Sequence, residues 1–153
     1  MAECLKVSCG YAGAPQAQAL LIHHGPAVSV NIGFDLAWNP RSNTAPVLGA
    51  SSLRALIDTG ARQSCIDSEL AIKLELPHFD RRPISSVAVI VIVDFHRAQV
   101  HAPALRFTQS GPFAAVPLIA SGFKYEALLG RSFLSYVKMY YDGPLGDAIM
   151  MFE

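Results

Sequence analysis

One aspartate in this chain is placed to do acid/base chemistry. Asp58, in Asp58-Thr59-Gly60-Ala61, follows the apolar run Leu53-Arg54-Ala55-Leu56-Ile57. The run predicts a strand and the glycine a tight turn, so a carboxylate leaves a strand end where Gly60 lets a backbone amide approach it. Hydrolysis of a peptide bond by aspartates needs two carboxylates sharing one proton, with one acting as base on a water. The Asp-Thr-Gly tripeptide occurs once, so the second carboxylate has to come from elsewhere. By itself such an aspartate also reads as a turn former or helix cap.

A second element, Ala127-Leu128-Leu129-Gly130-Arg131-Ser132-Phe133-Leu134, again sets an apolar strand end before a glycine and a helix start. Two apolar strands ending in glycine turns, the first bearing the aspartate, resemble the retropepsin-like aspartic peptidases in their bacterial single-domain form. The likeness runs from about Leu20 to Phe152. It is carried by Ala55-Leu56-Ile57-Asp58-Thr59-Gly60-Ala61, Ser64 and Ile66, and by Leu128-Leu129-Gly130-Arg131 with Phe133-Leu134.

What the resemblance implies is a mainly β fold: a closed barrel of six or more strands with one or two short helices, forming half of a symmetric dimer. Asp58 from each chain would make the catalytic dyad, with Thr59 hydrogen-bonding across the dimer axis and Gly60 completing the turn. Ala61 and Leu129 would contact substrate, together with Ser85 and Ser86 of a flap. The partners implied are a second copy of the chain and a peptide or protein substrate, with no metal and no organic cofactor. The chain termini would interleave as strands at the dimer interface.

The sequence departs from that pattern in two places. A hairpin flap of this type commonly contains glycines, yet none lies between Gly60 and Gly111. The flap falls within Pro83 to Gln99, its tip near Ser85-Ser86 by family order or at Asp94 to Arg97 by turn chemistry. Retroviral members also often pair an acidic residue after the Asp-Thr-Gly-Ala turn with the arginine of the second motif. Here that position holds Arg62, so Arg131, read as structural, needs another carboxylate, with Asp67 and Asp80 as candidates.

The elements that must position these residues follow from periodicity and turn chemistry. Residues 1–18 read as an extension, ordered only by pairing with something, and residues 19–153 as the domain. From Leu20 to Asp35 the pattern is strand-like, with Val28, Val30 and Ile32 on one face. Trp38 to Ser52 is a long loop rich in turn residues. Ser64 to Leu76 contains a helix capped by Asp67 or Ser68 and ended by Pro77. Ile84 to Val93 and Ala98 to Phe107 read as the arms of a hairpin around the polar cluster Asp94 to Arg97. Ala115 to Ile119 reads as a short strand, Ser132 to Tyr136 as a short second helix, and Tyr136–Tyr141 with Ala148–Phe152 as strands around a turn.

Composition narrows the function classes. In 153 residues, enough for one domain, hydrophobic side chains make up 52% and charged ones 16%, with a mean hydropathy of +0.32. That is apolar for a monomer and suggests surface buried against a partner. Twelve basic and twelve acidic residues balance without a charged run, which favours neither nucleic acid nor a membrane surface. The longest apolar run, Val87 to Val93, is far short of the roughly 20 residues a spanning helix needs. No secretory signal is recognisable, and an odd number of cysteines (Cys4, Cys9, Cys65) argues for reduced thiols, so cytoplasmic residence is expected. Cys4 and Cys9 with His23-His24 match no common zinc spacing, and His78, His96 and His101 are scattered. The rival to an endopeptidase is a catalytically silent relative using the same groove as a peptide-binding or assembly module.

Overall fold

The computed structural model describes residues 2–85 and 88–153. In chain order its elements are β1 (Leu5–Ser8), α1 (Ala17–His24), β2 (Ala27–Gly33), β3 (Ala50–Ile57), β4 (Cys65–Asp67), α2 (Ser68–Lys73) and β5 (His78–Ser85). They continue with β6 (Ile90–Ala102), a 3-10 turn at Pro103–Leu105, β7 (Phe107–Val116), β8 (Ala127–Leu129), α3 (Arg131–Leu134), β9 (Lys138–Asp142) and β10 (Asp147–Phe152).

The protein is mainly β. One sheet runs β2-β3-β8-β4-β7-β6-β5, and a further β2–β6 pairing closes its first six strands into a barrel, leaving β5 outside. Closure removes edges that would otherwise offer unpaired amides. The barrel interior is filled by Val28, Val30, Ile32, Ala55, Ile66, Val100, Leu129 and Phe133, all buried. On β2 these alternate with exposed Ser29, the period of two expected of a strand with one buried face.

A smaller sheet, β1-β10-β9, holds both ends of the chain. Leu5 pairs with Phe152 and Ser8 with Ile149, so the strand expected to pair across a dimer pairs with the chain's own C-terminal strand. Part of the segment read as an extension is therefore ordered by that pairing, and position 18 lies within α1.

Several local expectations are corrected. The strand expected from Leu20 begins only at Ala27, because Ala17–His24 is helical. Leu20-Leu21-Ile22 is contiguous rather than alternating, only Leu21 of the helix is buried, and Gly25, at φ 75°, ends it with its amide on the Leu21 carbonyl. The polar cluster Asp94 to Arg97 is not a turn but the middle of the long strand β6, paired on one side with β5 and on the other with β7. Its polar groups are satisfied sideways: His78 Nε2 lies 3.1 Å from Asp94 Oδ1, His96 Nδ1 lies 3.0 Å from the Leu76 carbonyl, and Arg97 lies over the Phe79 ring. β5 ends at Ser85 and β6 begins at Ile90, the two residues facing each other in the antiparallel ladder.

The short strand expected at Ala115 to Ile119 is instead the end of the longer β7, which stops at Val116 before a turn. Asp67 caps α2 through Leu70 N–H, a short α3 follows Gly130, and β9 and β10 form the C-terminal hairpin.

Candidate active site

Asp58 is placed by two adjacent parallel strands. β3 and β8 pair in register from Ala55–Ala127 to Ile57–Leu129, and the ladder ends where Asp58 N–H donates to the Leu129 carbonyl at 3.0 Å. The chain then turns sharply. Gly60 N–H donates to Asp58 Oδ1 at 2.9 Å, which fixes the carboxylate, and a Cβ at position 60 would lie 3.1 Å from that oxygen. Asp58 is half-buried, while Thr59 and Gly60 are exposed. Among the described residues no hydrogen bond joins Asp58 to another carboxylate.

The second glycine turn is folded onto the first. Gly130 N–H donates to the buried Ser64 hydroxyl at 3.0 Å, Arg131 N–H to the Ala61 carbonyl at 2.8 Å, and Ser132 N–H to the Arg62 carbonyl at 3.1 Å. Ser64 and Ser132 hydroxyls lie 3.1 Å apart. Three successive amides of the second motif are thereby satisfied by the loop that follows the aspartate, a cradle that keeps the turn in one conformation. Arg131 does not pair with Asp67 or Asp80. Its Nη1 donates to the Thr59 carbonyl at 2.8 Å, Asp67 is occupied by the Leu70 and Ile119 amides, and Asp80 accepts from Arg82 at 2.8 Å. A carbonyl one residue past Asp58 is close enough to satisfy the guanidinium without a carboxylate.

Beside the turn opens a cleft of about 560 Å³, walled by Gly60 to Gln63, Cys65 and Arg131 on one side and by Arg82 to Ser85 with Phe95 on the other. The arm made by β5 and β6 thus faces the aspartate turn, the relation a flap would have to its site. Burial, and secondarily the nearby Asp58 charge, pushes the Cys65 thiol up to about 11, so it stays protonated at neutral pH and is a poor nucleophile.

Of the residues expected to touch substrate, Ala61 and Ser85 line this cleft. Leu129 does not: it is fully buried, and it serves the site through its carbonyl, which receives the Asp58 amide. Ser86 lies outside the described residues. Thr59 contributes its carbonyl to Arg131. The sequence reading missed Arg82, Ile84 and Phe95 as wall residues. The i, i+2 spacing of Arg82 and Ile84 was the available signal once β5 is recognised as a strand. Among the described residues no group of three or more His, Cys, Asp or Glu side chains gathers in a metal-binding arrangement, and no helix is long and apolar enough to cross a membrane.

No protein-family model matches the sequence, and no curated protein matches it either. Solved structures similar to the chain include retroviral proteases. One is the simian foamy virus (mac) protease in solution, 17% identical, with 72% of this chain and 92% of that chain covered at a TM-score of 0.45. Another is the EIAV protease complexed with the inhibitor HBY-793, 18% identical, with 72% and 85% covered at a TM-score of 0.44.

Proposed function

We propose that the protein is an aspartic endopeptidase whose dyad is formed by Asp58 from two copies of the chain. The observation that most supports it is the outward-facing Asp58 turn, with its carboxylate fixed by the Gly60 amide at 2.9 Å beside a cleft roofed by the β5–β6 arm. One chain presents one such carboxylate, and a two-fold axis through two exposed turns supplies the second.

In that dyad two neighbouring carboxylates cannot both ionise cheaply, so one holds a proton and the other removes one from a water between them. The water attacks the scissile carbonyl while the protonated carboxyl hydrogen-bonds the developing oxyanion, and a proton passes to the leaving amine. No acyl-enzyme forms. The chemistry calls for neither metal nor organic cofactor. The three free cysteines support a reducing, cytoplasmic setting.

Cleavage of a peptide library at mildly acidic and neutral pH, comparing the native protein with Asp58→Asn, tests the reading. Hydrolysis by the native protein alone is expected, and equal hydrolysis by both sinks it. Light scattering tests the dimer: a strict monomer at high concentration removes the shared dyad. A folded dimer that binds peptides without cutting them selects the binding-module alternative.

A further inference from the structure

Among the described residues, the walls of the cleft carry three guanidiniums, Arg62, Arg82 and Arg131, and no carboxylate. Their charges are not equally neutralised. Arg82 is paired with Asp80 at 2.8 Å and held over the Phe79 and Phe95 rings, each centroid 5.3 Å away. It is stiff and its charge is offset. Arg131 is bound to an uncharged acceptor, the Thr59 carbonyl, so its charge is retained in full. Arg62 is exposed, and among the described residues it makes no ion pair. Apart from Asp80 on Arg82, no ion pair among the described residues offsets the three guanidiniums.

A concave site lined by one sign of charge concentrates ligands of the other sign, and a guanidinium fork holds a carboxylate by two parallel hydrogen bonds. On the reading of the cleft as a peptide site, we propose that it selects peptides with an aspartate or glutamate side chain close to the bond to be cut. Arg62 receives that carboxylate, Arg131 adds to the field, and Ile84 and Phe95 take apolar neighbours. Arg62 is then a specificity-determining residue rather than a catalytic one.

The test uses Asp58→Asn full-length protein, so that binding is read without turnover. The probes are fluorescently labelled octapeptides with an apolar central pair, carrying glutamate, glutamine or lysine at each flanking position in turn. Anisotropy is expected to show, at one or more positions, glutamate binding about ten-fold more tightly than glutamine, a ratio corresponding to about 1.4 kcal/mol. The ratio shrinks as salt rises from 0.05 to 0.5 M, by screening, and reverses in favour of lysine-bearing peptides in Asp58→Asn/Arg62→Glu. Equal binding of both peptides at every position overturns the charge selection while leaving the peptidase reading to the cleavage assay. A preference unchanged by Arg62→Glu overturns the assignment to Arg62. Failure of every peptide to bind overturns the inference together with the peptide-site reading. Cleavage of neutral peptides by the native protein, with no gain from glutamate, overturns the inference alone.

Discussion

The Ser64 hydroxyl, almost wholly buried, accepts the Gly130 amide at 3.0 Å, and through this bond the turn carrying the aspartate and the second glycine turn hold each other. Replacing Ser64 by alanine leaves the Gly130 N–H inside the protein with no acceptor. A buried donor stripped of its partner costs about 1–3 kcal/mol. Urea denaturation of Ser64→Ala should show a loss of that size, and an unchanged midpoint would mean the bond contributes nothing.

Gly130 is required for a different reason. Its φ of −85° suits any residue, but a Cβ there would meet the Gln63 carbonyl oxygen at 2.6 Å and the Ala61 carbonyl oxygen at 2.8 Å. Main-chain atoms cannot swing aside as a side chain does. Gly130→Ala is expected to lose at least about 1–3 kcal/mol through overpacking. Gly143→Ala is the control, because its nearest contact would be the Tyr141 ring at 3.7 Å, and its melting temperature should match the parent.

Asp58→Asn keeps an oxygen able to accept from Gly60 N–H, so the turn persists while the acid/base function is lost. Circular dichroism should be unaltered and peptide hydrolysis should fall at least about 10²-fold. A variant that unfolds would show that the carboxylate serves the fold rather than the reaction.

Alkaline stability follows from the two buried thiols. Burial raises both Cys9 and Cys65 from 9.0 to about 11, so the folded state keeps protons that the unfolded chain releases. Stability is complete below pH 9 and declines as pH climbs toward 11, by up to about 1.4 kcal/mol per pH unit for each thiol. Denaturation midpoints measured from pH 8 to 10, below the range in which Tyr125, raised by burial from 10.0 to about 12, adds its own loss, should slope downward, and Cys65→Ala should remove about half of that slope. A flat profile would contradict the burial of these groups.

Much of this was legible in the sequence wherever a signal is local. The Asp67 cap depends on an oxygen three residues before the amide it accepts, and the Val28, Val30, Ile32 face depends on a period of two. The aspartate and glycine turns are short motifs with their own backbone demands. What the sequence hid depends on neighbours far along the chain. Asp94 to Arg97 looks like a turn because its partners, His78, Leu76 and Phe79, belong to another segment. Arg131 seemed to need a carboxylate because no pattern reveals that the Thr59 carbonyl comes within 2.8 Å. Leu129 was expected at the substrate because the resemblance of the second motif, to which it belongs, implies it, yet alternation along β8 turns it inward, with Leu128 on the opposite face.

The pairing of β1 with β10 sets a timetable for the newborn chain. Ser8 bonds to Asp147 across 139 residues of sequence, so β1 waits for a strand synthesised much later. At about 5–20 residues per second that interval is on the order of ten seconds. Contacts of such high order also slow folding itself. Until synthesis reaches β10, the small sheet is unmade and Leu5 and Val7 have no strand to lie against. The nascent protein therefore passes through a long window in which β1 is unpaired and its apolar face is open to competing association.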